Sequence, residues 1–212
     1  AWALQIQIEC ANPRITPQRG GVNRGARVEK RVPRGYAYRA KESEDAMDPH
    51  NIEWSDTLKK WGLTPENYVL KALPRNLGVL SRNDQARLAR RGVAIAGMGG
   101  VGGLHLITLA RAGVGAFHIS DFDRFEPANF NRQYGARIPT LGRPKTDVLR
   151  ADALAVNPFL DIRSFDRGIN AENVDAFLDG VDLFLDGLDF FVPEVRRLVY
   201  GRAREKGIPV VT

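Results

Sequence analysis

From Val93 to the end of the chain, short apolar runs alternate with longer stretches whose apolar residues recur at helical spacing. The runs predict strands at 93–97, 116–120, 160–165, 181–186 and 208–212, and the stretches between them predict helices at 101–112, 145–156, 171–179 and 193–206. Pro144 and Pro193 stand at or just before the first turn of a predicted helix, where a missing N–H costs nothing, and Gly113 and Gly207 stand where helices stop. Strands and helices that alternate in units this short are joined by βαβ crossovers. The predicted fold is therefore α/β, a Rossmann-like doubly wound sheet, mostly parallel and covered on both faces. The last apolar run ends the chain at Thr212 inside or just after a buried strand, so the sheet is expected to be truncated on its C-terminal side.

Upstream of this pattern the periodicity weakens. Residues 47–92 hold two helical pieces, one around Ser55 to Trp61 and one from Ser81 to Arg91 with Ser81 as N-cap. Residues 11–46 are rich in Arg, Pro and Gly and keep no period. Residues 1–46 are accordingly read as a disordered or non-native basic head, with Met47 as an alternative start, followed by a helical segment 47–92 and a nucleotide-binding domain 93–212. The net charge of +6 sits largely in that head, which has nine Lys/Arg against five Asp/Glu, so the folded part is nearly balanced and a general nucleic-acid surface is not expected. The single cysteine, Cys10, excludes an intramolecular disulfide and a two-thiol metal cluster, and fits a reducing, cytoplasmic setting. No apolar run is long enough to span a membrane.

The chemistry begins at Val93-Ala94-Ile95-Ala96-Gly97-Met98-Gly99-Gly100-Val101-Gly102, a strand that feeds a glycine turn and then an apolar helix. The first glycine permits the reversal, and the later ones let phosphate approach the backbone and the helix pack close to the sheet. The helix N-terminus behind the turn favours an anion. Asp121 ends the next predicted strand, at the spacing where a Rossmann-type acid meets a ribose hydroxyl. This much suits a dinucleotide enzyme as well as an ATP enzyme. The loop that follows separates them, because it carries Asn129, Arg132 and, after Gly142-Arg143-Pro144, Lys145. An amide donor, a two-pronged guanidinium and a point charge have no task at a nicotinamide and an evident one at a triphosphate. His105 and His118 fall within a predicted helix and strand and read as packing residues.

Taken in order, the G-x-G-G-x-G turn, the Asp121-x-Asp123 loop ending in Asn129-x-x-Arg132-Gln133, the Gly142-x-Pro144-Lys145 element and the strand end Leu185-Asp186-Gly187-Leu188-Asp189 resemble the ThiF/MoeB/HesA superfamily, the bacterial relatives of ubiquitin-activating enzymes. The resemblance covers roughly residues 75–212. It implies ATP and Mg²⁺ as cofactors. Gly97, Gly99, Gly100 and Gly102 would line the nucleotide, Asp121 would bind the ribose, and Asn129, Arg132 and Lys145 would contact the phosphates. Gln133 would support the loop, and Asp189, in competition with Asp186, would hold Mg²⁺. An arginine near the start of the domain, Arg75, would reach the γ-phosphate of a partner subunit, since relatives pair as homodimers through the face that carries the site. Arg132, Lys145 and Asp189 are thus the implied catalytic residues. The chain departs from the family at Phe190-Phe191, where a polar residue usually follows the acid.

The implied reaction is attack by a carboxylate on the α-phosphorus of ATP, giving an acyl-adenylate and pyrophosphate. A carboxylate is ionised at neutral pH and needs no general base, so alignment and charge neutralisation suffice, which suits a site without a poised His or Cys. The expected acceptor is the C-terminus of a ubiquitin-like protein or peptide. The alternative is a carboxylate on a modified tRNA base, as in threonylcarbamoyladenosine dehydratases, and a more distant alternative is an NAD- or FAD-binding oxidoreductase.

Overall fold

A computed structural model of the chain describes residues 54–212. The basic head, Met47 and Cys10 lie outside the described residues. Five strands form one all-parallel sheet: β1 (Gly92–Ala96), β2 (Ala116–Ser120), β3 (Asp161–Phe165), β4 (Leu183–Asp186) and β5 (Val210–Val211), in the order β3-β2-β1-β4-β5. The α/β, Rossmann-like doubly wound prediction holds. The register runs Val93 to Phe117 and Leu183, and Ile95 to Ile119 and Leu185, so these two residues of β1 have apolar neighbours on both sides. Because successive strand residues point to opposite faces, β1 feeds two separate cores. Val93 and Ile95 pack with Phe117, Ile119 and Leu185 beneath α4 (Gly102–Ala112) and α5 (Lys145–Val156). Ala94 and Ala96 pack with Phe184 beneath α6 (Val174–Phe177) and α7 (Pro193–Glu205).

Ahead of the sheet come α1 (Trp54–Trp61), α2 (Tyr68–Ala72) and α3 (Arg82–Leu88). Ser81 caps α3 as its residue type predicts, its hydroxyl accepting from the Asp84 N–H at 3.1 Å. Side-chain bonds tie this segment to the far end of α4. Gln85 Nε2 donates to the Ala112 carbonyl at 2.8 Å, and Asn76 Nδ2 donates to it at 3.2 Å.

Several predicted elements are shorter than the hydrophobic pattern suggests: β4 starts at Leu183 rather than 181, α3 ends at Leu88 rather than Arg91, and two others contract for reasons the hydrogen bonds show. The helix expected over 171–179 contracts to α6, because Asn170 and Asn173 exchange side-chain bonds with each other's backbone and hold the preceding residues in turns. The strand expected over 208–212 contracts to β5, because the Ile208 N–H is spent on the Ala203 carbonyl at the end of α7 and Pro209 has no N–H.

Strand order reverses at β1, whose neighbours β2 and β4 lead in opposite directions through the chain. In such sheets the crevice beyond the carboxyl ends of the strands at this point is where ligands bind. The ends of β1, β2 and β4, with the loops and helix starts that follow them, carry every site residue expected from the sequence except Arg75.

Candidate functional site

The glycine turn sits in that crevice. Gly97 has φ of +86°, which a side chain rarely adopts, and a β-carbon there would lie 2.2 Å from the Gly187 carbonyl oxygen at the end of β4. At Gly102, the first residue of α4, a β-carbon would lie 1.8 Å from the Gly97 carbonyl oxygen. The turn and the helix start are thus pressed together and against β4 by the absence of side chains. Val101 offers no side chain to cap α4, so the helix opens on backbone alone.

Asp121, at the end of β2, holds the turn from the other side. One carboxylate oxygen accepts from the Met98 N–H at 2.7 Å and the other from the Asp123 N–H at 2.8 Å. The first bond joins the β2 loop to the glycine turn, and the second orders the next residues. Asp123 then receives the ammonium of Lys145, whose Nζ donates to its Oδ2 at 2.9 Å, while the Lys145 N–H donates to the Asp123 carbonyl at 3.0 Å. Lys145 is only 5% exposed although it opens α5. A cation placed at a helix N-terminus and out of water is unfavourable by itself, so the single carboxylate of Asp123 is a spare partner for it, and an anion at the site would be a stronger one.

The outer wall comes from Asn129 to Gln133. Arg132 lies over Gly100: a β-carbon on that glycine would stand 3.6 Å from its Cγ. Its guanidinium folds back on its own loop, donating from one nitrogen to the Ala128 carbonyl and to Asn131 Oδ1, both at 3.0 Å. Asn129 closes a reciprocal cap with Glu126, its Oδ1 accepting from the Glu126 N–H at 2.9 Å. Gln133 is buried beside Gly99, and its Oε1 has no hydrogen-bond partner. A bare helix start, a buried ammonium and the Gln133 amide nitrogen facing Gly99 are groups that the phosphates of a nucleotide would complete, so the residues present fit ATP.

On the β4 side, Asp186 and Asp189 part company. The Asp186 side chain is fully buried and its lone pairs are taken: Arg196 Nε donates at 2.6 Å, Tyr200 Oη at 2.5 Å and the Leu188 N–H at 2.9 Å. Burial alone would raise its pKa, but those three bonds outweigh burial and hold the carboxyl below the usual aspartate value. Tyr200 is raised, first by burial and then by its bond to Asp186. Asp189 is exposed, and its carboxylate accepts one long bond, at 3.4 Å from the Phe191 N–H. Among the described residues no three His, Cys, Asp or Glu gather as a metal cluster. A water-rich Mg²⁺ held by one carboxylate and by phosphates needs no such cluster, and Asp189 is chemically suited to it.

Sequence reasoning did not assign Asp123, Arg196 or Tyr200. Asp123 had a visible signal, being the second acid of the Asp-x-Asp element. Arg196 and Tyr200 are four residues apart on α7 and so share one face, but only the docking of α7 on β4 shows that they meet Asp186. Arg75 stands apart. Its neighbour Asn76 bonds the last turn of α4, while the glycine turn begins that helix about 16 Å away at 1.5 Å per residue. Arg75 therefore sits beside the opposite end of that helix from the glycine turn.

Comparison with known proteins agrees with this fold. The chain is 32% identical over 111 residues to tRNA threonylcarbamoyladenosine dehydratase of Bacillus subtilis, a match covering 52% of this chain and 44% of that protein. It is 35% identical over 97 residues to ubiquitin-like modifier-activating enzyme 5 of Drosophila melanogaster, covering 45% of this chain and 24% of that one. Against these two relatives, then, it spans less than half the length. The crystal structure of E. coli tRNA N6-threonylcarbamoyladenosine dehydratase, TcdA, superposes with a TM-score of 0.63 at 25% identity, covering 67% of this chain and 59% of that one. The same enzyme has been crystallised in complex with ATP. Residues 73–212 match the ThiF family over more than half of the sequence, and the chain belongs to that family.

Proposed function

We propose that this chain binds ATP with Mg²⁺ and adenylates a carboxylate, releasing pyrophosphate. The observation that carries the reading is the linkage of the glycine turn through Asp121 to Asp123 and the buried Lys145, with Arg132 and Gln133 over the turn's outer side. Asp121 receives the ribose. Lys145 turns from Asp123 to the phosphates, and Arg132 exchanges its bonds to its own loop for phosphate oxygens, with the Asn129 amide beside it. Asp189 is the residue that holds Mg²⁺, which when bound neutralises charge on the phosphates. The acceptor oxygen attacks the α-phosphorus in line, the bond to the bridging oxygen breaks, and pyrophosphate leaves with the electron pair. No side chain has to accept a proton, which suits a crevice whose chemistry rests on cations and amides. The dinucleotide-oxidoreductase reading leaves Asn129, Arg132 and Lys145 without a task.

For the acceptor, the comparisons favour a carboxylate on a modified tRNA base over the C-terminus of a ubiquitin-like protein or peptide, since the dehydratases appear both among the sequence relatives and among the solved structures. On either reading Arg75 serves a second copy of the chain. Labelled-pyrophosphate exchange into ATP tests the activity, run with threonylcarbamoyl-modified tRNA and with peptide carboxylates in parallel. Exchange dependent on the tRNA, lost in Lys145→Ala and Asp189→Ala, is the expected result. Exchange dependent on a peptide restores the C-terminal acceptor, and no exchange with either defeats the proposal. If tRNA is the acceptor, its binding also weakens by about tenfold or more on raising salt from roughly 50 to 200 mM, as phosphate contacts dictate.

A further inference from the structure

The side chain that the proposed function assigns to Mg²⁺ has almost nothing to hold it. Asp189 is exposed, and its one long bond runs to a residue of its own turn. Where its carboxylate points is therefore set by the backbone that leads into it. Gly187 is fixed by the sheet, its N–H donating to the Ala96 carbonyl at 2.8 Å. Leu188 is fixed by side chains alone. Its N–H donates to Asp186 Oδ1 at 2.9 Å, and its carbonyl accepts from Arg196 Nη2 at 2.6 Å.

Arg196 is the joint between the two. Its Nε donates to Asp186 Oδ2 while its Nη2 reaches the Leu188 carbonyl, so one planar guanidinium spans the strand end and the loop. Tyr200, one turn further along α7, donates to the same Asp186 oxygen, and its ring packs against Phe184 of β4 at 6.1 Å between centroids. The carboxylate at the centre is sealed from water, so the cluster does not dissolve into alternative pairings. Helix docking alone would need only the ion pair to Asp186. The second prong, to the carbonyl immediately before Asp189, is the part that a purely structural role leaves unexplained.

We propose that Arg196, with Asp186 and Tyr200, is a positioning device for Asp189: it clamps the Leu188 peptide so that the acidic side chain is presented to the metal–nucleotide complex. This rests on the reading of Asp189 as the Mg²⁺ residue. An arginine can make both bonds in one plane; a lysine in its place keeps the charge opposite Asp186 but not the simultaneous reach to Leu188.

The test uses the whole chain, with Arg196→Lys as the main variant and Tyr200→Phe as a second that leaves the guanidinium in place. Two quantities are read. Without any ligand, amide hydrogen exchange over residues 187–191 should quicken by about tenfold or more in Arg196→Lys while the β1 and β2 amides stay protected. In calorimetric titration with ATP, the native chain should bind more tightly with Mg²⁺ than with a chelator, and Arg196→Lys should lose about tenfold of the Mg²⁺-dependent part while its chelated ATP affinity stays unchanged. Tyr200→Phe should move both quantities the same way and less. Unchanged exchange across 187–191 in Arg196→Lys overturns the clamp whether or not the chain binds ATP. So does an undiminished Mg²⁺ effect. Failure of the native chain to bind ATP defeats the proposed function instead, and the exchange measurement still decides whether Arg196 orders the loop.

Discussion

Lys145 shows how much a residue's surroundings add to its type. From the sequence it is a lysine after Pro144 at a helix start, where it has no favourable local role. In the fold it is buried and held by one carboxylate that is itself half exposed, side-chain exposure being 6% for Lys145 and 53% for Asp123. Gln133 shows the same contrast: its orphaned oxygen becomes visible only once the loop is laid against Gly99. Asp186 was legible as a candidate and not as a buried anchor, because Arg196 and Tyr200 reach it from an element ten and more residues away. His118 behaves as the packing residue its place in β2 predicts, and its Nδ1 faces the Phe177 carbonyl at 2.8 Å. Burial, partly opposed by that bond, holds its pKa below the usual value of 6.5. The unfolded chain therefore takes up a proton that the native state resists. Stability is complete above about pH 6.5 and is lost as pH falls toward the lowered native value. Denaturant unfolding at a series of pH values should show this slope, and His118→Gln should flatten it. At the rim, Phe190 and Phe191 are 80% and 84% exposed and touch edge to face at 5.5 Å. Replacing both with Ala should leave the melting temperature and ATP affinity unchanged and raise KM for the acceptor. An unchanged acceptor KM removes the pair from recognition.

At the scale of elements, the strands and long helices could be read from period and punctuation, because each buries a face and ends at a glycine, a proline or a cap. What the pattern did not show are the pieces held by side-chain bonds to backbone: α2, the three short 3-10 turns at Pro74–Asn76, Pro127–Asn129 and Ile138–Thr140, and the shortening of α6. These follow from who bonds whom after folding rather than from hydrophobic spacing. The meeting of α4 with β1 and β4 is the junction that makes the crevice, and it depends on two absent side chains. Gly102→Ala places a methyl within 1.8 Å of the Gly97 carbonyl oxygen, so the turn or the helix must move. ATP binding should be lost and the melting temperature should drop by several degrees, in line with a core overpacking cost of about 1–3 kcal/mol. Ser81→Ala gives the control. It removes the cap of α3 and should cost about 1 kcal/mol, with ATP affinity unchanged. Equal effects of the two substitutions on ATP binding would contradict the assigned junction.

For the molecule as a whole, the described residues place two apolar cores on either side of one sheet and leave its carboxyl-end crevice to polar groups. Among the described residues, no helix is long and apolar enough to cross a membrane. The strand order, with its reversal beside β1, turns residues far apart in sequence into one site: the glycine turn, Asp121, the Asn129–Gln133 wall, Lys145, and the β4 loop that carries Asp189. The claim on which the functional account stands is that this crevice holds ATP. Calorimetric titration of the full chain with ATP and, separately, with NADH, both in the presence of Mg²⁺, tests it most directly. The account predicts saturable ATP binding, weakened about tenfold or more in Lys145→Ala through loss of a charged hydrogen bond, with no binding of NADH. Tight NADH binding without ATP binding, or ATP affinity indifferent to Lys145, would contradict it.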